Sequence, residues 1–145
     1  MMKCSLLLVN PVSFIVRPMK RVALGIGCDR GCDIMVVRQA GLEALAQIGL
    51  SARDVAVIAS IDLKSDESAF AALAEEWSVD LQFFSAECLE KETPRLAHPS
   101  DLVFAHTGCH GVAEAAALAA VGPGGALLVP KQKGAGVTVA VVGWL

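Results

Sequence analysis

From Val22 onward the apolar residues fall into short runs of two kinds, and the kinds alternate. Val22, Ala23 and Leu24 lead into a glycine-bearing turn from Gly25 to Asp33, and the next apolar positions, Ile34, Val37, Gly41, Leu45 and Ile48, recur at helical spacing until Gly49. This predicts a strand followed by a helix over about 33–48, with Asp33 as its cap. Val55 to Ile61 is apolar at every position but Ser60 and rich in β-branched residues, the pattern of a central strand covered on both faces. Phe70, Leu73 and Trp77 lie three and four apart and predict a second helix opened by Ser65 or Asp66. Leu81 to Phe84 reads as a third strand, and Ser85 caps a short helix through about Glu92 that Pro94 ends. Arg95 to Pro99 reads as loop, and Leu102 to Ala105 fits a strand or a helical turn equally well.

A second glycine-bearing turn, His106-Thr107-Gly108-Cys109-His110-Gly111, precedes an alanine-rich helix from Val112 to Ala120, which Gly122 to Gly125 close. Two strand-like runs follow, Ala126 to Val129 and Val137 to Val142, with Pro130 to Gly136 as the join. So short a join makes them an antiparallel hairpin. Strands alternating with helices are the sequence form of βαβ units. The expected fold is α/β, a single-domain layered sandwich with a mixed, mainly parallel sheet and helices on its faces. If the first, second and last strands are parallel neighbours, the loops Cys28 to Asp33 and Asp62 to Glu67 share one sheet edge, and Thr107 to Gly111 and Lys131 to Lys133 could converge on it.

Composition narrows the function classes. The chain has 145 residues, 54% hydrophobic and 19% charged, with a net charge of −3. That is one domain with a proper core, and a poor attractor for nucleic acid. Five cysteines make an odd count without the density of a disulfide-stapled scaffold, so free thiols and a cytoplasmic location are expected. The apolar run Ser5 to Val9 is broken by Asn10-Pro11 and is far short of the ~20 residues of a membrane span. Residues 1–19 are read as an appendage to a domain over 20–145.

The polar chemistry lies in the loops. Gly25, Gly27 and Gly31 expose backbone N–H groups where a sheet hands over to a helix, a place suited to an anionic group. The spacing is not the dinucleotide fingerprint, whose third glycine would fall on Arg30, and Asp54 stands before the second strand instead of at its end. Arg30, Lys64, Lys131 and Lys133 would form a basic rim suited to a small ligand with several carboxylates or phosphates. Solvated turn residues, with glycine serving backbone geometry, explain the same pattern. Asp62, Asp66 and Glu67 could bind a divalent cation or act as acid and base, although Glu67 is more simply explained as complementing the positive end of the helix it opens. Cys28, Cys32, His106, Cys109 and His110 are soft ligands whose spacings match no closed zinc pattern, and Cys28 and Cys32 stand one residue too wide for a C-x-x-C redox motif. Thr107, Cys109 or Cys28 could serve as a nucleophile with His106 or His110 as base, but neither a Gly-x-Ser-x-Gly elbow nor a P-loop occurs.

Taken together, Val22-Ala-Leu-Gly-Ile-Gly-Cys-Asp-Arg-Gly31, Ala59-Ser-Ile-Asp-Leu-Lys-Ser-Asp-Glu67, Phe83-Phe-Ser-Ala-Glu87, Thr107-Gly108, Gly111-Val-Ala-Glu-Ala-Ala-Ala117 and Leu128-Val-Pro-Lys-Gln-Lys133 resemble one family in unbroken order over about residues 20–142. It is the CobE family, also found as the C-terminal domain of CbiG. The resemblance implies a role in cobalamin biosynthesis, in the free-standing CobE form; no cofactor and no metal are expected. The expected partners are a precorrin-type tetrapyrrole and other cobalamin-pathway enzymes. CbiG proteins open a lactone on a cobalt-precorrin intermediate and release acetaldehyde, so hydrolysis of such a bond, with Asp62 or Glu67 assisting water, is the alternative to a carrier or accessory role. A nucleotide-binding module is a third reading. The expected ligand-binding set is Gly25, Gly27, Cys28, Arg30, Gly31, Asp62, Lys64, Asp66, Glu67, Thr107, Gly108, Gly111, Lys131, Gln132 and Lys133.

Overall fold

The computed structural model describes residues 21–144, so the expected appendage over residues 1–19 lies outside the described residues. Five strands form one sheet in the order β3-β2-β1-β5-β4. They are β1 (Val22–Cys28), β2 (Val55–Ile61), β3 (Asp80–Phe84), β4 (Gly125–Gly134) and β5 (Val137–Trp144). The helices are α1 (Ile34–Ala46), α2 (Ser68–Trp77), α3 (Ala86–Glu90), α4 (Asp101–Thr107) and α5 (Ala113–Val121). β1, β2 and β3 are parallel, whereas β5 lies antiparallel between β1 and β4. The fold is therefore the expected α/β sandwich with a mixed sheet.

Alternation along β1 divides the core between the two faces. Val22, Leu24 and Ile26 pack with Val37 and Leu45 of α1, Phe70 and Leu73 of α2, and Val137, Val139 and Val141 of β5. On the other face Ala23 meets Ala117 and Leu118 of α5, and Ala59 and Ile61 of β2 meet Ala115, Ala116 and Leu89. Where α5 crosses β1 the residues are small on both sides, Ala23 and Gly25 facing Ala113 and Ala117, and the helix lies almost on the strand. A Cβ on Gly25 would stand 1.9 Å from the Ala113 carbonyl oxygen. Buried Ser60 uses its hydroxyl locally, donating to the Ile26 carbonyl at 2.5 Å.

Capping side chains start the helices where their residue types predict. Asp33 Oδ1 accepts from Met35 N at 2.8 Å, Ser85 Oγ from Cys88 N at 3.1 Å, and Ser100 Oγ from Val103 N at 3.2 Å. Leu102 to Ala105 is helical, within α4. α3 ends at Glu90, earlier than expected, and a separate 3₁₀ turn Thr93–Arg95 carries Pro94 at its start.

Four local expectations are corrected. β1 continues to Cys28, so Gly25 and Gly27 are strand residues on the face that α5 covers, not members of the turn. Neither Ser65 nor Asp66 opens α2: a 3₁₀ turn Asp62–Lys64 comes first and Glu67 holds the cap position. Pro130 to Gly134 belong to β4, and the hairpin turns on Ala135 and Gly136 alone, with φ of 54° and 79°. β4 is a bulged edge strand, where proline, lysine and glycine are tolerated and imitate a loop. Finally, β5 is antiparallel to β1. The beginning of β5, paired as Cys28↔Val137, then reaches the sheet edge where β1 and β2 end.

Candidate functional site

At that edge a cleft of about 560 Å³ opens between the ends of β1 and β2, α4, the start of α5 and the β4–β5 hairpin. Its cations are Arg30, Lys64, Lys131 and Lys133, the four expected to form a basic rim, with His106 beside them. Arg30 comes from the β1–α1 loop, Lys64 from the 3₁₀ turn after β2, and the two lysines from edge strand β4. Val112 and Ala113 contribute the first turn of α5, where a helix leaves N–H groups without intrahelical partners and carries partial positive charge. Ile61, Leu63, Leu102, Val103 and Val112 supply apolar lining. Leu63 and Leu102 are 52% and 69% exposed, large apolar side chains left at the mouth.

Gly27, Cys28, Thr107 and Gly111 also line the cleft, so eight of the expected ligand residues come together there. The others lie around it. Gly25 is buried under Ala113. Gly108, with φ of 86°, ends α4. Gln132 turns toward α1, where it and Gln47 exchange side-chain hydrogen bonds at 2.6 and 2.8 Å beside a second, separate groove. Asp62 is exposed at the head of its 3₁₀ turn, outside the cleft lining. Asp66 pairs with Arg30 at 3.3 Å, both side chains being 69% exposed, so the pair is solvent-screened and weak.

Glu67 stands at the head of α2, where the helix expectation put it, and its carboxylate has a second partner. Its carboxylate makes no cap hydrogen bond to α2; it is 7% exposed and both oxygens accept from Gly31 N, at 3.0 and 3.1 Å. It therefore fastens the β1–α1 loop to the start of α2, and Gly31 serves this tether with its N–H at φ 77°.

Cys28, Cys32 and Glu67 place one sulfur or oxygen each within 4.8 Å of one another, the single such group of three or more among the described residues. The two Sγ atoms are 2.6 Å apart. Burial, together with the neighbouring Cys32 sulfur, pushes the Cys28 thiol up to about 12. His106, Cys109 and His110 do not join this group. Cys109 is fully buried in the α5 face of the core. The His110 ring bonds to Glu90 at 2.9 Å, approaches Asp101 at 3.4 Å and stacks on Phe104. Thr107 Oγ1 donates to the Val103 carbonyl at 2.7 Å. These contacts tie the turn before α5 to α3 and α4, and none of them is a nucleophile–base pair.

Sequence reasoning missed Glu114. It is 2% exposed yet lines the cleft, with Oε1 accepting from Ala97 N and His98 N at 3.0 and 3.2 Å and Oε2 from Lys131 N at 2.9 Å. One carboxylate thereby joins α5, the 96–99 loop and edge strand β4. The available signal was a lone charge in a helix otherwise apolar all round, since such a helix is buried and its charge has to be paired.

The profile of the family described as Cobalamin synthesis G C-terminus matches residues 22–142, nearly the whole described domain. The chain belongs to this family. It is 42% identical over 122 residues to Protein CobE of a Sinorhizobium species, covering 84% of this chain and 79% of that protein. It is 32% identical over 127 residues to Cobalt-precorrin-5A hydrolase of Priestia megaterium, covering 88% of this chain but only 33% of that protein's length. The crystal structure of CobE, a protein from the cobalamin (vitamin B12) biosynthetic pathway, superposes with a TM-score of 0.81 at 34% identity, covering 86% of this chain and 93% of that one. Membership makes this a cobalamin biosynthesis protein, and the match places the cleft's loops inside the shared domain. Among the described residues no helix is long and apolar enough to cross a membrane.

Proposed function

We infer that the cleft binds a precorrin-type tetrapyrrole through its peripheral carboxylates and acts as a carrier or accessory site for other enzymes of the pathway. The observation that carries this reading is the convergence of Arg30, Lys64, Lys131 and Lys133 from three separate segments on one cleft. Nothing in the core requires cations from distant parts of an acidic chain to meet there. The cleft volume falls in the range of small-molecule sites. Leu63, Leu102 and Val103 offer an apolar surface for a macrocycle face, while the cations and the α5 N-terminus suit its acetate and propionate groups.

The hydrolase reading has less support. Glu67 spends both carboxylate oxygens on Gly31, and Asp62 stands outside the cleft. The hydrolase relative matches only across a third of its own length.

Titration with cobyrinic acid, a corrin with free carboxylates, tests the proposal by visible absorbance. Binding should shift the corrin bands, weaken with salt, and fall on the order of tenfold for each of Lys64→Ala and Arg30→Ala. Its methyl ester should bind far more weakly. Equal binding of acid and ester, or no spectral change at all, would sink the carboxylate-recognition reading. A new product detected by mass spectrometry after incubation with a pathway intermediate would favour hydrolysis instead.

A further inference from the structure

We propose that Cys28 and Cys32 form a reversible dithiol–disulfide site, oxidised by hydrogen peroxide, at the junction of β1 and α1. The pair does not depend on what the cleft binds. The two sulfurs are within 2.6 Å, inside ordinary sulfur–sulfur contact, and both residues are half-buried. Three residues separate them in the spacing C-x-x-x-C, and that segment, Asp29 to Gly31, is exposed and held through its backbone by Gly136 and Glu67, so the loop already keeps the two sulfurs facing each other.

Metal binding by the same group is the competing chemistry, and the geometry disfavours it. Two thiolates on a tetrahedral zinc at about 2.3 Å stand roughly 3.8 Å apart. The third member, Glu67, already directs both oxygens at Gly31 N. The thiols instead lie where one can attack the other after oxidation.

Cys32 is the first nucleophile. It directly precedes the cap of the 13-residue helix α1, whereas burial keeps the Cys28 thiol protonated. Cys32 Sγ gives up its proton and attacks one peroxide oxygen, the O–O bond breaks, and the departing hydroxide takes that proton as water, giving the sulfenic acid. The Cys28 sulfur then attacks that sulfenic sulfur. The S–O bond breaks, and the departing hydroxide takes the Cys28 proton as a second water. Two thiols have lost two electrons, and one peroxide has gained them. The product cross-links the end of β1 to the entry of α1 and closes a short covalent loop around Arg30, a cleft residue.

Trypsin makes the test direct, because Arg30 lies between the cysteines and cleavage there separates them. After brief peroxide treatment of the whole protein, the two tryptic peptides should run as one linked species that a dithiol reductant splits, with both cysteines protected from iodoacetamide. Cys28→Ser should accumulate a dimedone-reactive sulfenic acid on Cys32, and Cys32→Ser should show none on Cys28 under the same treatment. Full alkylation of both cysteines after peroxide, or linkage of either to Cys88, would overturn the proposal. So would stoichiometric zinc bound to these two thiols in the purified protein.

Discussion

Glu67 accepts the backbone N–H of Gly31 with both carboxylate oxygens, across 36 residues of chain. The contact fastens the Arg30 loop to the start of α2, so the loop's position depends on a side chain from the next βα unit. Glu67→Ala should destabilise the domain by about 1–3 kcal/mol in urea unfolding, and the Gly31 amide should exchange faster. Glu67→Gln keeps an acceptor and should lose less. If Glu67→Ala left both stability and Gly31 exchange unchanged, the tether would have no energetic weight.

Two glycines of β1 separate packing from ligand access. A Cβ on Gly25 collides with the α5 backbone at Ala113, whereas one on Gly27 meets only Val112 side-chain atoms at 3.4 Å. Gly25→Ala should cost about 3 kcal/mol or prevent folding, because a helix backbone has to move. Gly27→Ala should fold with nearly normal stability yet weaken cobyrinic acid binding, since Gly27 lines the cleft. Paired thermal melts and titrations check this contrast, and equal destabilisation by both would contradict it.

Removing the Glu114 carboxylate leaves three backbone donors without their acceptor. Glu114→Ala should lower stability by about 3 kcal/mol, and Glu114→Gln by less. Hydrogen exchange should accelerate at Ala97, His98 and Lys131 together, a signature of one shared anchor. Acceleration at only one of the three would show that the segments are held independently.

The Glu90 carboxylate titrates below the ordinary carboxylate range, chiefly because the His110 ring bonds to it, with help from Thr93 and the His110 backbone N–H. Its folded value is lowered, so the stability it contributes is complete above the unfolded value and disappears as pH falls through the folded one. The stability difference between wild type and Glu90→Gln should therefore be steady above about pH 5 and close toward more acid conditions. Urea midpoints measured across that range give the sign. A gap that widened toward acid would reverse the assignment.

What was readable in the chain, and what was not, follows from physical causes. Val55–Ile61 was legible to the residue because a strand covered on both faces is apolar at nearly every position, the one exception, Ser60, satisfying its hydroxyl on the Ile26 carbonyl. Pro130 to Gly134 looked like loop because an edge strand carries the residues that discourage further pairing. Gly25 looked like a ligand contact because the approach of Ala113 is set by tertiary packing, 88 residues away in sequence. The basic rim was legible because cations on two loops and on the adjoining edge strand need little beyond the correct end of the sheet to meet. Glu114 was not, since its three partners are backbone groups, which carry no residue-type signal.

The antiparallel placement of β5 beside β1 also decides where sequence can be added. Val22 pairs with Gly143, and the Arg21 carbonyl accepts from Trp144 N at 3.2 Å, so the two ends of the domain emerge side by side. They do so at the end of the sheet opposite the one where Cys28 pairs with Val137 and the cleft opens. Sequence joined at either end would therefore leave the mouth of the cleft facing outward.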